Sequence, residues 1–184
     1  MKKLSLLLLS LAVVSLVLTG CKKSNDRKNY LQVGNEVYDL ALGDMEYYGT
    51  ATGGYDIGLN LLTTGITVDA DGYWQGTGTG IWFEFISDIN NGLSSGTYEY
   101  SGSSVAFTLY DVGYCLDWTT NYETNVWVYL DSSEGGYVKV VKNGTKYEVT
   151  FKGKDEDGNA VKGNFSGTFA IYDFSSTKSR GSHK

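Results

Sequence analysis

The segment Tyr137–Tyr172 reads YVKVVKNGTKYEVTFKGKDEDGNAVKGNFSGTFAIY, three alternating runs divided by Asn143-Gly144 and Asp157-Gly158. Both dipeptides reach positive φ easily, which suits tight hairpin turns. Between them, Tyr147, Val149 and Phe151 share one face while Lys146, Glu148, Thr150 and Lys152 share the other, the period of a half-buried strand. After the second turn Val161, Phe165, Phe169 and Ile171 fall on one face, with Gly163 and Gly167 in the same register. Glycines so placed mark a bend or the close approach of another backbone. The stretch is expected to form a three-strand antiparallel meander with the two dipeptides at its hairpin tips.

The rest of the chain agrees with this reading. Its 15 Tyr, 7 Phe and 4 Trp favour strands, its 24 Gly punctuate them, and proline is absent. Further strands are expected at 36–42, 45–50, 55–63, 80–87, 97–101, 105–111 and 124–130. Tyr55, Ile57, Leu59 and Leu61 make one apolar face, and Val105, Phe107 and Leu109 another. Many short strands with Gly, Asn and Asp between them mean an antiparallel β-sandwich or a β-barrel.

Three short motifs, Gly53-Gly54-Tyr55, Asp69-Ala70-Asp71-Gly72 and Ser95-Gly96-Thr97-Tyr98, are echoed at 135–137, 155–158 and 166–169. The spacings differ, so the echo is no strict repeat. Either turn chemistry recurs by itself or two related sheets face each other.

At the other end, Lys2 and Lys3 precede the apolar run Leu4–Leu18, too short and wrongly flanked for a membrane span, and the run ends in Leu18-Thr19-Gly20-Cys21. This resembles the lipobox of bacterial lipoproteins, in which signal peptidase II cuts before the cysteine and Cys21 then carries acyl chains. The resemblance implies a signal peptide over residues 1–20 and a membrane partner held through lipid on Cys21. The polar run 21–29 then reads as a flexible tether, 30–174 as one all-β domain and 175–184 as a disordered tail. With Lys22 rather than an aspartate after the cysteine, the resemblance also implies delivery to the outer membrane, on its periplasmic or its surface face.

The chain from Cys21 onward carries 13 basic and 21 acidic residues, a net charge of −8. An acidic domain argues, by its net charge, against nucleic acid and against anionic membrane surfaces as partners. With Cys21 acylated, Cys115 has no disulfide partner and reads as a small buried hydrophobe.

Candidate chemistry is sparse. The lone His183 lies in the tail, which removes histidine triads and histidine-rich zinc sites. Glu84 is the best acid for glycoside hydrolysis, since Trp82, Glu84 and Ile86 alternate onto one face, but no partner carboxylate is identifiable. Asp69-x-Asp71-Gly72 and Asp155-x-Asp157-Gly158 open like calcium loops yet lack the closing glutamate of an EF-hand, and a plain hairpin turn also explains them. Neither a metal nor a cofactor is expected. The aromatic excess is more telling, because the strand around Thr124–Leu130 sets Val126, Val128 and Leu130 against Trp127 and Tyr129, so that neither face is ordinary solvent surface. Trp74, Trp82, Trp118 and Trp127 are therefore candidates for stacking on a sugar, with packing in a core as the other use of such rings.

With its lipobox and a Tyr/Gly-rich, proline-free domain containing Leu93-Ser94-Ser95-Gly96-Thr97-Tyr98, the chain resembles small β-sandwich or calycin-like lipoproteins of Bacteroidota. That group has no shared activity, so the resemblance implies an address and a fold. The expectation is a non-enzymatic outer-membrane lipoprotein with a binding or structural role, toward a glycan or a protein. A carbohydrate-binding lipoprotein is the alternative, and a small glycoside-active enzyme the third.

Overall fold

The computed structural model describes residues 28–101 and 105–176; Cys21 with its lipobox, most of the tether, His183 and the end of the chain lie outside them. The meander is present as β9 (Gly136–Asn143), β10 (Lys146–Lys154) and β11 (Ala160–Gly167). Its tips fall at the expected dipeptides: Lys146 pairs with Asn143 across a loop where Gly144 has φ +62°, and Gly158, at φ +81°, turns the chain into β11. Along β10, Tyr147, Val149, Phe151 and Gly153 are buried and the residues between them exposed. At Gly163 a Cβ would lie 2.2 Å from the Tyr30 carbonyl oxygen and 2.3 Å from the Phe151 ring, so glycine there lets two neighbours approach.

The remaining strands are β1 (Tyr30–Val33), β2 (Glu36–Ala51), β3 (Gly54–Thr63), β4 (Ile66–Val68), β5 (Trp74–Ser87), β6 (Gly96–Tyr100), β7 (Thr108–Thr119), β8 (Trp127–Tyr129) and β12 (Ala170–Asp173). Nine strands, in the order β5-β3-β2-β1-β11-β10-β9-β6-β7, close on themselves through pairing of β5 with β7. The expected all-β, calycin-like architecture is thus a closed barrel and not a sandwich. β4 and β8 extend it beside β5 and β7, and β12 pairs in parallel with β2. A barrel of this size is just wide enough for side chains to fill. Phe83, Phe85, Tyr98 and Phe151 occupy the middle, with the Phe83 and Phe151 ring centroids 5.1 Å apart. A crevice among Phe83, Tyr100, Leu109, Leu130 and Phe151 has a volume of about 10 Å³, room for one water at most.

Several boundaries differ from the sequence reading. The two strands expected at 36–42 and 45–50 are one, β2, with irregularities of register at Leu40/Leu42 and Tyr47/Gly49. Gly43, which falls between those two expected strands, pairs with Leu61 inside β2, and the Phe169 ring packs where its Cβ would stand. The strand expected at 105–111 starts at Thr108 and runs on to Thr119. Phe107 has φ +64° and Val105 and Phe107 are exposed, so of that apolar face only Leu109 enters the core. The last strand breaks after Gly167, and Ile171 does not continue the inward face. It lies on β12, 51% exposed, while Phe169 packs on Phe165 and Tyr147.

The two Asp-rich turns adopt one conformation. Asp69 Oδ1 accepts hydrogen bonds from the backbone N–H groups of Asp71 and Tyr73, and Asp155 Oδ1 accepts them from Asp157 and Asn159. Both aspartates organise their turns; Asp69 Oδ2 accepts from Gln75 just beyond its loop, and Asp155 Oδ2 from Asn159 and from the Tyr114 hydroxyl on β7. The first motif is echoed too, since Gly53 and Gly135 have positive φ just before β3 and β9, but the third is not: Ser95-Gly96 opens β6, whereas Ser166-Gly167 closes β11.

Candidate functional site

On most of a small barrel the outer face meets water. Across β2, β3, β5 and β7 it is covered, and polar side chains lie beneath the cover. Pairing aligns two outward rows, Asp44–Asn60–Trp82–Gly113–Tyr129 and Glu46–Gly58–Glu84–Asp111. Asp44, Glu46, Asn60 and Trp82 are buried, while Glu84, Asp111 and Tyr129 are half-buried. The glycines leave room: a Cβ at Gly58 would stand 3.2 Å from the Tyr48 ring, and at Gly113 2.3 Å from the Trp82 ring.

Hydrogen bonds knit the acids to tyrosines. The Tyr48 hydroxyl donates to Glu46 Oε2, and the Tyr110 hydroxyl to Asp56 Oδ1 at 2.6 Å. Tyr110 is the extra residue where the pairing of β5 with β7 shifts between Glu84 and Phe85, and the irregularity places its hydroxyl beside Glu84 and Asp56. Burial first, then the Glu84 charge and the Asp56 hydrogen bond, push the Tyr110 hydroxyl far up, so it remains a donor. Tyr129 is raised by burial and by the Asp111 and Glu84 charges.

Asp44 is set apart by its depth. It is 1% exposed, accepts from Asn60 Nδ2 at 2.8 Å through Oδ2, and leaves Oδ1 without a hydrogen-bond partner. Burial, with the Glu46 charge adding to it against the Asn60 hydrogen bond, pushes its carboxyl up to about 8, and at neutral pH it is a neutral acid. The cover comes from sequence-distant segments. Phe174 stacks on Tyr48 at 6.0 Å and meets Tyr73 at 6.2 Å, and Gly72 lies against Tyr172 and Phe174.

The structure sorts the residues proposed from sequence into two groups. Trp82, Glu84 and Trp127 come together on this wall, with Trp127 and Tyr129 edge-on to Trp82 at 4.9 and 5.6 Å. Trp82 is only 7% exposed and boxed by those rings, so the half-buried Trp127 and Tyr129 are what this wall can offer to a sugar. Trp74 and Trp118 are corrected to core. They are 4% and 0% exposed, pack edge-on at 5.6 Å, and with Leu62, Ile66 and Cys115 form a second small core under the β4 hairpin, leaving no ring face for a ligand. Cys115 sits there as expected, and burial raises its thiol to about 11, which keeps it unreactive. Asp44, Glu46, Tyr48, Asp56, Asn60, Tyr110 and Asp111 were missed. A signal existed in β2, where Asp44, Glu46 and Tyr48 alternate against Met45 and Tyr47, but the same pattern describes a solvated face.

Chemically the wall is a set of hydrogen-bond acceptors and aromatic edges without a cationic counterpart. No Lys or Arg occurs between Asn29 and Val138. Such a surface repels anions and accepts hydrogen bonds from hydroxyl or amino groups. Among the described residues no group of three or more His, Cys, Asp and Glu is placed to hold a metal ion. Comparison with family models, with characterised proteins and with solved structures finds no match for this chain.

Proposed function

We propose that the chain is a lipoprotein anchored through Cys21 at the outer membrane, with a non-enzymatic binding role exercised by the outer wall of β2, β3, β5 and β7. The anchor rests on Leu18-Thr19-Gly20-Cys21 behind its charged, apolar leader. The binding role rests on one observation: acids and aromatic rings are gathered on a wall where ordinary solvent-facing residues would complete a barrel. Burying polar groups costs free energy unless they are satisfied, and a ligand face is one reason to keep them. The large apolar side chains that pack the middle of the barrel support placing the ligand outside it.

The ligand class that suits this wall is a neutral or amino-bearing carbohydrate. Trp127 and Tyr129 supply ring edges and faces, and Glu84 and Asp111 supply acceptors for hydroxyl groups, the division of labour found in sugar sites. A hydrolase reading has less support, because the acid with the strongly raised carboxyl, Asp44, is too deep to touch a substrate. Two experiments test the proposal. Cys21→Ser should move the protein out of the membrane fraction and abolish acyl labelling; retention with unchanged mass would sink the anchor. On a glycan array, retention should be confined to neutral and amino sugars and weaken about tenfold or more in Trp127→Ala, whereas selective retention on sulfated or sialylated glycans would reject the assignment of this wall.

A further inference from the structure

Charge in this barrel is segregated by wall. Residues 29–138 contain fifteen Asp and Glu and no Lys or Arg. Apart from Lys28, every basic residue among the described ones lies on β9, β10 and β11: Lys139, Lys142, Lys146, Lys152, Lys154 and Lys162. Following the strand order around the barrel, β10 stands opposite β3 and β5, so this lysine wall is diametrically across from the carboxylate wall. Lys139, Lys152 and Lys162 are exposed on its outer face without an ion-pair partner among the described residues. Lys152 and Lys162 are paired directly across β10 and β11, a like-charge placement that an anion between them would relieve. Tyr137 and Val141 are exposed large hydrophobic residues on the same face.

The anchor side of the chain meets this wall. Asn164 Nδ2 on β11 donates to the Lys28 carbonyl, and Asn29 exchanges hydrogen bonds with Ser166. The segment from Cys21 to Arg27 adds Lys22, Lys23 and Arg27, and seven residues span at most about 25 Å. A wall that begins at the root of so short a tether is held within reach of whatever membrane holds the anchor.

The geometry points to the outer face of β9–β11 as a membrane-seating surface for anionic lipid headgroups, which lays the barrel on its lysine wall and turns the carboxylate wall toward the aqueous side. This rests on the lipid anchor proposed above. Basic residues near an anionic surface attract it within a Debye length, and a tyrosine suits the headgroup layer. The opposite wall, repelled by the same surface, would be presented to ligand.

The test is acetylation footprinting, read by mass spectrometry, of the full lipidated chain in vesicles of phosphatidylcholine and in vesicles enriched in phosphatidylglycerol. Lys139, Lys152 and Lys162 should be protected about tenfold in the anionic vesicles, not in the neutral ones, and the protection should vanish at molar salt. The triple variant Lys139→Glu, Lys152→Glu, Lys162→Glu, checked for an unchanged melting transition, should lose the protection that Lys146, on the same face, shows in the parent chain. Equal labelling in both vesicles overturns the proposal. So does the same protection in detergent at raised protein concentration, which would mark a contact between copies of this chain. The anchor is read separately from the mass of Cys21. If that residue carries no acyl chain, the chain is mixed with the same vesicles: sedimentation with the anionic ones alone, lost in the triple variant, upholds the seating surface, and no sedimentation rejects it.

Discussion

Two walls of one barrel obey different rules. In β9–β11 the inward residues are apolar or glycine and the outward residues mostly polar, with Tyr137 and Val141 as exposed exceptions, and β10 alternates strictly. In β3 and β5 long runs are buried on both faces, and on β2 two acids, Asp44 and Glu46, are buried outward. The first wall needs only the core and water, as an antiparallel sheet does. The second needs a cover, made from the β4 hairpin, β8 and the segment around Phe174, and a reason for its acids. One barrel can thus combine a wall whose burial pattern folding alone explains with a wall whose polar burial is at odds with stability alone.

Inside the barrel the walls should behave alike, and this gives the largest effects. Phe83 from the second wall and Phe151 from the first touch at 5.1 Å. Phe83→Ala and Phe151→Ala should each cost about 3–5 kcal/mol in denaturant unfolding, with the double variant costing less than the sum because both enlarge one cavity. Additive losses would mean that the two rings belong to separate cores.

Outside the barrel the walls should part. Trp82→Ala removes a ring that Trp127 and Tyr129 pack against and should cost about 3 kcal/mol, whereas Thr150→Ala on the meander should stay within about 0.5 kcal/mol. Similar small losses at both positions would erase the distinction between a covered wall and a solvated one.

A third, smaller difference concerns pH. Asp44 keeps its proton in the fold up to about pH 8, while an unfolded aspartate releases it near the ordinary value of 3.8. Unfolding therefore releases a proton between those limits, and the Asp44 contribution to stability falls as pH rises through that window. Asp44→Asn should flatten this slope, gaining about 1–3 kcal/mol at pH 8 and nothing near pH 4. Asp155, at the β10–β11 loop, runs the other way. Burial alone would raise it, but hydrogen bonds from Tyr114, Asn159 and the loop backbone outweigh burial and lower it. Its contribution is present above the unfolded value and lost as the solution is acidified below it. Melting curves of Asp44→Asn and Asp155→Asn across pH should show opposite slopes removed; a common sign would contradict the assignment.

The same contrast explains what the sequence made legible. β9–β11 could be read to the turn because one face is wet, which leaves the period of two visible in Tyr147, Val149 and Phe151. β7 escaped because Val112, Gly113, Tyr114 and Cys115 are all buried, so burial imposes no alternation there. β12 escaped because it is set by parallel pairing with β2, more than a hundred residues away, a register that no local pattern encodes. Of the site, the Trp127 and Tyr129 face and its neighbours Trp82 and Glu84 were legible from alternation. Asp44, Asn60 and Asp111 were not, since only the pairing of β2, β3, β5 and β7 brings them into rows.

The central claim is that the two outer walls differ in function, and one titration tests it most directly. Glu84 and Glu148 are outward glutamates on opposite walls, each replaceable by its neutral isostere. With a neutral glycan retained on the array, Glu84→Gln should weaken its dissociation constant about tenfold, the loss of one charged hydrogen bond, and Glu148→Gln should leave it unchanged. An equal effect of both substitutions, or a loss confined to Glu148→Gln, would contradict the account.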